Sequence, residues 1–381
     1  MHAFRRARRS LALLVLLPLA LSGCSLVPGP TAVELYAETR LAGMTLSEKV
    51  SSLLMLHHPG TDAAALRSFV DIHDLGGLIL MGDNVPGSMQ QLSTMTAALS
   101  AEPGLPLLIG IDQEGGAVSR IPSDVAPGGE ALRALPLTAT TESFASRGSL
   151  LEQAGINVNF GIVADVPAGP GAFLYDRALG TTAESAADRV AAAVAGETGR
   201  VQSTLKHFPG HGAAAGDSHV SVPTTGMSYD DWLTDVAPPF TAGIDAGAGL
   251  VMFGHLEYGA VDAGPASLSP EWHEILRDEL DFDGVIITDD MLMLKHTGLP
   301  QYADPVATAI AALAAGNTML LYVLPQIPAA EGIDIPTLIG ALAAAVADGR
   351  IDEQLVDDNA RRVLELRRSL ADPDESGTTG G

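Results

Sequence analysis

Along the chain, compact apolar runs alternate with longer segments in which alanine and leucine recur at helical spacing. The runs fall at Ser52–His57, Gly77–Met81, Leu107–Ile111, Ile156–Val163, Val201–Lys206, Leu250–Gly254, Val285–Thr288 and Thr318–Val323. They are continuous rather than alternating, the pattern of parallel strands covered on both faces. Between them the spacing predicts helices over Asp62–Asp74, Ser88–Ala101, Ala183–Thr198, Ser269–Leu280 and Pro305–Ala315. Two more, Ile335–Ala347 and Glu353–Leu370, close the pattern. Eight strand-then-helix units in about 330 residues fit a single (β/α)8 barrel of the TIM type better than a doubly wound sheet.

The ends read differently. Arg5, Arg6, Arg8 and Arg9 precede an apolar stretch from Leu11 to Gly23, too short to span a hydrocarbon core of ~30 Å. It runs into Leu21-Ser22-Gly23-Cys24, which resembles a bacterial lipobox, and Cys24 is the one cysteine of the chain. The expected organisation is a signal peptide over residues 1–23 and a lipid-anchored tether over 24–40. The catalytic barrel follows over 41–370, with a disordered tail over 371–381. Acylated at Cys24, the protein would be held to the membrane from outside the cytoplasm without spanning it. The competing reading makes Cys24 an ordinary small residue.

Composition narrows the partners. Of 381 residues 47% are hydrophobic and 18% charged, which excludes a disordered chain. A formal net charge of −25 argues against nucleic acid, whose phosphates call for clustered Lys and Arg. One cysteine leaves no internal disulfide and no cysteine-built metal site.

In a barrel the chemistry gathers where strands end. Asp112-Gln113-Glu114-Gly115-Gly116 follows the third run, Lys206-His207-Phe208-Pro209-Gly210-His211-Gly212 the fifth, His255 the sixth and Asp289-Asp290 the seventh. Lys206 and His207 end a strand and suit rigid donors to substrate hydroxyls. The lean loop beyond them carries Asp217 and His219, with Asp217 near enough to bond one ring nitrogen of the imidazole. His219 is then a candidate general acid/base near neutral pH. Alternatively these histidines merely bond loop carbonyls, or His207, His211 and His219 bind a metal, although no helix sets their spacing. Asp289, leaving Val285-Ile286-Ile287-Thr288, suits a nucleophile. Its bland alternative is a helix cap, a duty Asp290 could equally serve. Asp112 could be a turn residue, and Gly115-Gly116 imply a sharp bend or a close approach.

Lys206–Gly212 with Asp217-Ser218-His219 resembles the signature of the β-N-acetylhexosaminidases of glycoside hydrolase family 3. Ile111–Gly116 is similar to that family's Asp-Gln-Glu-Gly-Gly strand end, and Phe282–Asp289 to its nucleophile strand. The likeness runs in order from Leu41 to Leu366. It implies Asp289 as nucleophile, His219 as acid/base and Asp217 as its partner. It also implies an N-acetylglucosamine held by Asp112, Arg120, Lys206 and His207. Arg177, in Asp176-Arg177-Ala178-Leu179-Gly180, would match the arginine of the family's Arg-Ser-Phe-Gly segment. Ala117 stands where the family has arginine, Ala178-Leu179 replace Ser-Phe, and Gly169–Tyr175 is irregular. The implied activity is a retaining exo-β-N-acetylglucosaminidase acting on peptidoglycan fragments, needing no metal or organic cofactor. Its partners would be the glycan and, through Cys24, the membrane.

Three other readings compete. Phosphate could replace water, making the enzyme a phosphorylase. The barrel could be a non-catalytic sugar-binding lipoprotein, although an aromatic content of 4% offers few stacking platforms. Asp281-Phe282-Asp283-Gly284 superficially looks like the Asp-x-Asp-Gly of aspartyl-phosphate phosphatases, but the charged Arg277-Asp278-Glu279 before it is no buried strand.

Overall fold

The computed structural model describes residues 29–100, 102 and 104–371, and its compact body begins at Ala32. The leader expected over residues 1–23 and Cys24 lie outside the described residues, as does the tail beyond Ala371.

Eight parallel strands close into a barrel: β1 Leu54–Leu56, β2 Gly77–Leu80, β3 Leu108–Ile111, β4 Val158–Val163, β5 Gln202–Phe208, β6 Leu250–Phe253, β7 Val285–Asp290 and β8 Met319–Tyr322. Each pairs with its neighbours in sequence, and β8 returns to β1 with Leu54 opposite Leu320. All eight expected runs are therefore strands. β1, β2, β3, β4, β6 and β8 are buried at every position, which is why they read as unbroken apolar runs. Gly110 on β3 makes room for the ring of Phe160 on β4, which a methyl group there would approach to 2.5 Å.

The expected helices form at Ala63–His73, Met89–Leu99, Ala183–Glu197, Pro305–Ala315, Ile335–Ala347 and Glu353–Ala371. Their starts follow capping chemistry: Asp62 Oδ1 accepts from the amides of Ala64 and Ala65, and Asp304 Oδ1 from those of Val306 and Ala307. The segment expected as one helix from Ser269 is α-helical over Pro270–Glu274 and widens to a π-helical turn over Ile275–Glu279.

Two differences matter. Residues 24–40, expected to be a tether, are helical from Ala32 as part of Ala32–Ala42. Only Ala37 of that helix is buried, so its apolar stripe is too thin to announce it. It is held instead by the end of the chain, with Ala37 packed beside Leu105 and Leu364 and the Arg368 guanidinium over the Tyr36 ring. Between β3 and β4 lies the unanticipated helix Leu137–Gln153, rich in Ser and Thr. It packs on Ala183–Glu197 by close approach: a side chain at Gly196 would meet the Thr141 carbonyl at 2.6 Å. In Leu137–Gln153 tertiary contact overrides weak local propensity, whereas Ala32–Ala42 is made of good helix formers and lacks only an apolar stripe.

Candidate active site

Lys206 leaves β5 fully enclosed, with 2% of its side chain exposed. Its Nζ lies 2.8 Å from Asp112 Oδ1 and 2.7 Å from Glu114 Oε1. Arg177 grips Glu114 from the other side through Nε and Nη2 at 2.9 and 2.7 Å. Burial opposes ionisation of Asp112 and Glu114, but Lys206 and the neighbouring arginines together outweigh it and hold both carboxyls below the usual range. The same pairing raises Lys206, so all four groups stay charged. Arg120 Nη2 reaches Asp112 Oδ2 at 3.4 Å. His207 is aimed by Asp165, whose Oδ2 lies 2.8 Å from Nδ1, and its Nε2 stands 3.5 Å from Arg177 Nη2. The five residues expected to hold a sugar thus share one cluster.

A buried polar layer fixes this cluster. Glu114 is followed by Gly115 and Gly116, both at positive φ (81° and 65°), and a Cβ on Gly115 would strike Arg147 Nη2 at 2.1 Å. The two glycines therefore serve both a bend and a close approach. Gln113 Oε1 accepts from the amides of Arg120 and Ile121, while its Nε2 donates to Asp124, itself paired with Arg147. Behind it, Asn159 holds the Gln113 backbone and donates to Glu197. Glu197 is wholly enclosed, and burial pushes its carboxyl up to about 7.

Hydrogen bonds distinguish Asp289 from Asp290. Asp290 Oδ1 accepts from the amides of Leu292 and Val323, which ties it to the turn into helix Leu292–His296. Burial raises its carboxyl to about 7. Asp289 has no such duty. Burial opposes its ionisation too, but His207, His255 and the Asp290 N–H (2.8 Å from Oδ1) hold its carboxyl below the usual range. His255 is buried between Ser267 Oγ at 2.7 Å and the Asp290 carbonyl at 3.0 Å, which makes Nε2 the protonated nitrogen.

His219 sits on the loop after β5 with 61% of its side chain exposed. Asp217 Oδ1 lies 2.6 Å from its Nδ1 and accepts from its backbone amide at 2.9 Å. The carboxylate therefore fixes the proton on Nδ1 and leaves Nε2 for transfer to a ligand. Burial opposes ionisation of Asp217, but its bonds from His219 keep it below its ordinary value. His211 is buried against Phe173, rings stacked at 5.6 Å, and burial lowers its basicity. Among the described residues no three His, Cys, Asp or Glu side chains are grouped to hold a metal ion. Asp281 and Asp283 precede β7, at the opposite end of that strand from Asp289, so the phosphatase-like stretch is away from this rim.

Sequence reasoning passed over Asp165, Glu197, Asn159 and Arg147. Asp165 carried a usable signal, a carboxylate two residues past β4, much as Asp112 directly follows β3. The others are helix or strand residues whose roles depend on partners distant in the chain.

Over residues 45–366 the chain matches the glycosyl hydrolase family 3 N-terminal domain. A protein named beta-hexosaminidase from Stenotrophomonas maltophilia is 32% identical over 343 residues, covering 82% of this chain and 98% of its own length. One of the same name from Methylococcus capsulatus is 34% identical over 67% of this chain and 77% of that protein. The solved structure of a glycoside hydrolase family 3 β-N-acetylglucosaminidase from a Paenibacillus species superposes with a TM-score of 0.77 at 32% identity. That likeness covers 86% of this chain but 63% of the Paenibacillus protein, which is the longer. With the domain matched over nearly the whole barrel, the chain belongs to glycosyl hydrolase family 3 and is a glycoside hydrolase.

Proposed function

We propose that this protein is a retaining exo-β-N-acetylhexosaminidase that removes terminal N-acetylglucosamine from peptidoglycan fragments. The observation that carries the reading is a division of labour on one rim. An ionised carboxylate free of capping duty, Asp289, shares that rim with an exposed imidazole whose Nδ1 is occupied by Asp217. In the first step Asp289 attacks the anomeric carbon, the glycosidic bond breaks, and the departing oxygen takes the proton from His219 Nε2. In the second, water attacks the same carbon, gives its proton back to Nε2, and the bond to Asp289 breaks. Two inversions give net retention.

Asp112, Arg120, Arg177, Lys206 and His207 hold the sugar. Glu114 is unsuited to be the acid, since Lys206 and Arg177 keep it ionised and occupied. The relatives named beta-hexosaminidase support the sugar assignment. The lipobox-like stretch ending at Cys24 supports an extracytoplasmic, membrane-anchored location, where peptidoglycan is at hand.

A 5-fluorinated N-acetylglucosaminyl fluoride should label Asp289, and Asp289→Ala should abolish labelling and turnover while the unfolding transition is retained. Labelling at Asp290, or a product of inverted configuration, would refute the covalent step. Adding phosphate and finding a sugar phosphate would identify the enzyme as a phosphorylase on the same site.

A further inference from the structure

Phe173 is the only aromatic among the large apolar side chains that the described residues leave exposed, at 43%. A single exposed apolar residue needs no explanation by itself. Its mounting does. Leu174 beside it is buried to 1% and anchors the turn. The amides of Arg177 and Ala178 both donate to the Leu174 carbonyl at 3.0 Å. Arg133 Nη1 donates to the carbonyls of Tyr175 and Ala178 at 2.6 and 2.7 Å and covers the Tyr175 ring. The same turn delivers Arg177 to Glu114. Phe173 is thus held outward by a braced segment.

What it faces is the dyad. The Phe173 ring stacks on His211 and meets the His219 ring edge-on at 5.9 Å. Resting on the reading of His219 as proton donor, the position has a chemical meaning. The donor must reach the glycosidic oxygen, which joins the sugar that is held to the one that leaves. A ring packed edge-on against the donor therefore borders the space of the leaving sugar. Val220, the next residue after His219, adds a second exposed apolar surface there, at 64%. A pyranose offers a face of C–H groups that aromatic rings accept, with most of the contact area apolar.

We propose that Phe173 is the platform that seats the leaving sugar of a β-linked oligosaccharide, making it a specificity-determining residue. The substrate class is then a glycan with a second pyranose beyond the scissile bond, in preference to a monosaccharide with a small leaving group.

The test compares the β-1,4-linked disaccharide of N-acetylglucosamine with the methyl β-glycoside of N-acetylglucosamine, whose leaving group needs a proton just as much but brings no second sugar. Phe173→Ala should lower kcat/KM for the disaccharide about tenfold, the equivalent of roughly 1.4 kcal/mol of aromatic contact. The methyl glycoside should stay within about twofold, with an unaltered pH profile. Phe173→Trp should restore the disaccharide. Equal losses on both substrates would show that Phe173 only steadies the His219 loop, and an undiminished disaccharide rate would remove the platform outright. Wild-type protein that turns over neither substrate would instead overturn the hexosaminidase reading, and the platform with it.

Discussion

Replacing Glu197 by glutamine should stabilise the protein at alkaline pH and change little in acid. Glu197 accepts from Asn159 and from Ser203 Oγ at 2.7 Å, and Arg147 is the only full charge acting on it. Burial lifts its carboxyl from 4.5 to about 7. Below the ordinary value the group is protonated whether the chain is folded or not, so nothing is lost. As pH rises further, the unfolded chain releases the proton first and stability falls. Above the folded value the full penalty applies, about 2.5 pH units or roughly 3 kcal/mol. Glutamine keeps the shape, accepting from Asn159 through Oε1 and donating from Nε2 to Ser203 Oγ, without a charge to bury. The gain should grow from under about 1 kcal/mol at pH 5 to about 3 kcal/mol at pH 8. At about 2.1 cal/mol/K per residue over roughly 340 residues, that is a rise in Tm of about 4 °C at pH 8. Urea unfolding and calorimetry at both values would measure it. A Glu197→Gln protein destabilised equally at both would show that Glu197 is ionised and paired with Arg147, refuting the argument.

His219→Ala should cost about 10²–10⁴ in rate with a sugar leaving group, but far less in the glycosylation burst with dinitrophenolate, which needs no proton. Asp217→Ala should follow the same pattern more mildly; equal losses for good and poor leaving groups would reduce His219 to a binding residue. Cys24→Ser should release the protein from membranes or block its processing, as read by fractionation and mass spectrometry of the N-terminus. Normal processing with undiminished membrane retention would exclude the anchor.

The barrel was legible because both-face burial leaves no polar position inside most of its strands. Among the helices that escaped notice, Ala32–Ala42 and Leu137–Gln153 bury mostly small or polar residues against distant partners, and no local periodicity records such contacts. The strand-end residues of the site were visible by type. Their division was not: Asp289 and Asp290 differ by a bond to the Val323 amide, which only the closed barrel brings near. Glu114 is likewise defined only by the fold, which brings Lys206 and Arg177 onto it from distant segments. In the supporting layer Gln113 belongs to a motif, but Asn159, Glu197 and Arg147 do not, because each is defined by who lies next to it.

The seam of the barrel sets an order in time. β1 finds one of its two partners only in β8, and helix Ala32–Ala42 rests on Glu353–Ala371. During synthesis, then, the first elements to leave the ribosome wait for nearly the last before either can settle. Until that moment the chain has two unpaired strand edges and no completed rim, so no activity. Were the chain exported unfolded, that delay would leave it loose enough to thread a translocation channel and would postpone closure until arrival.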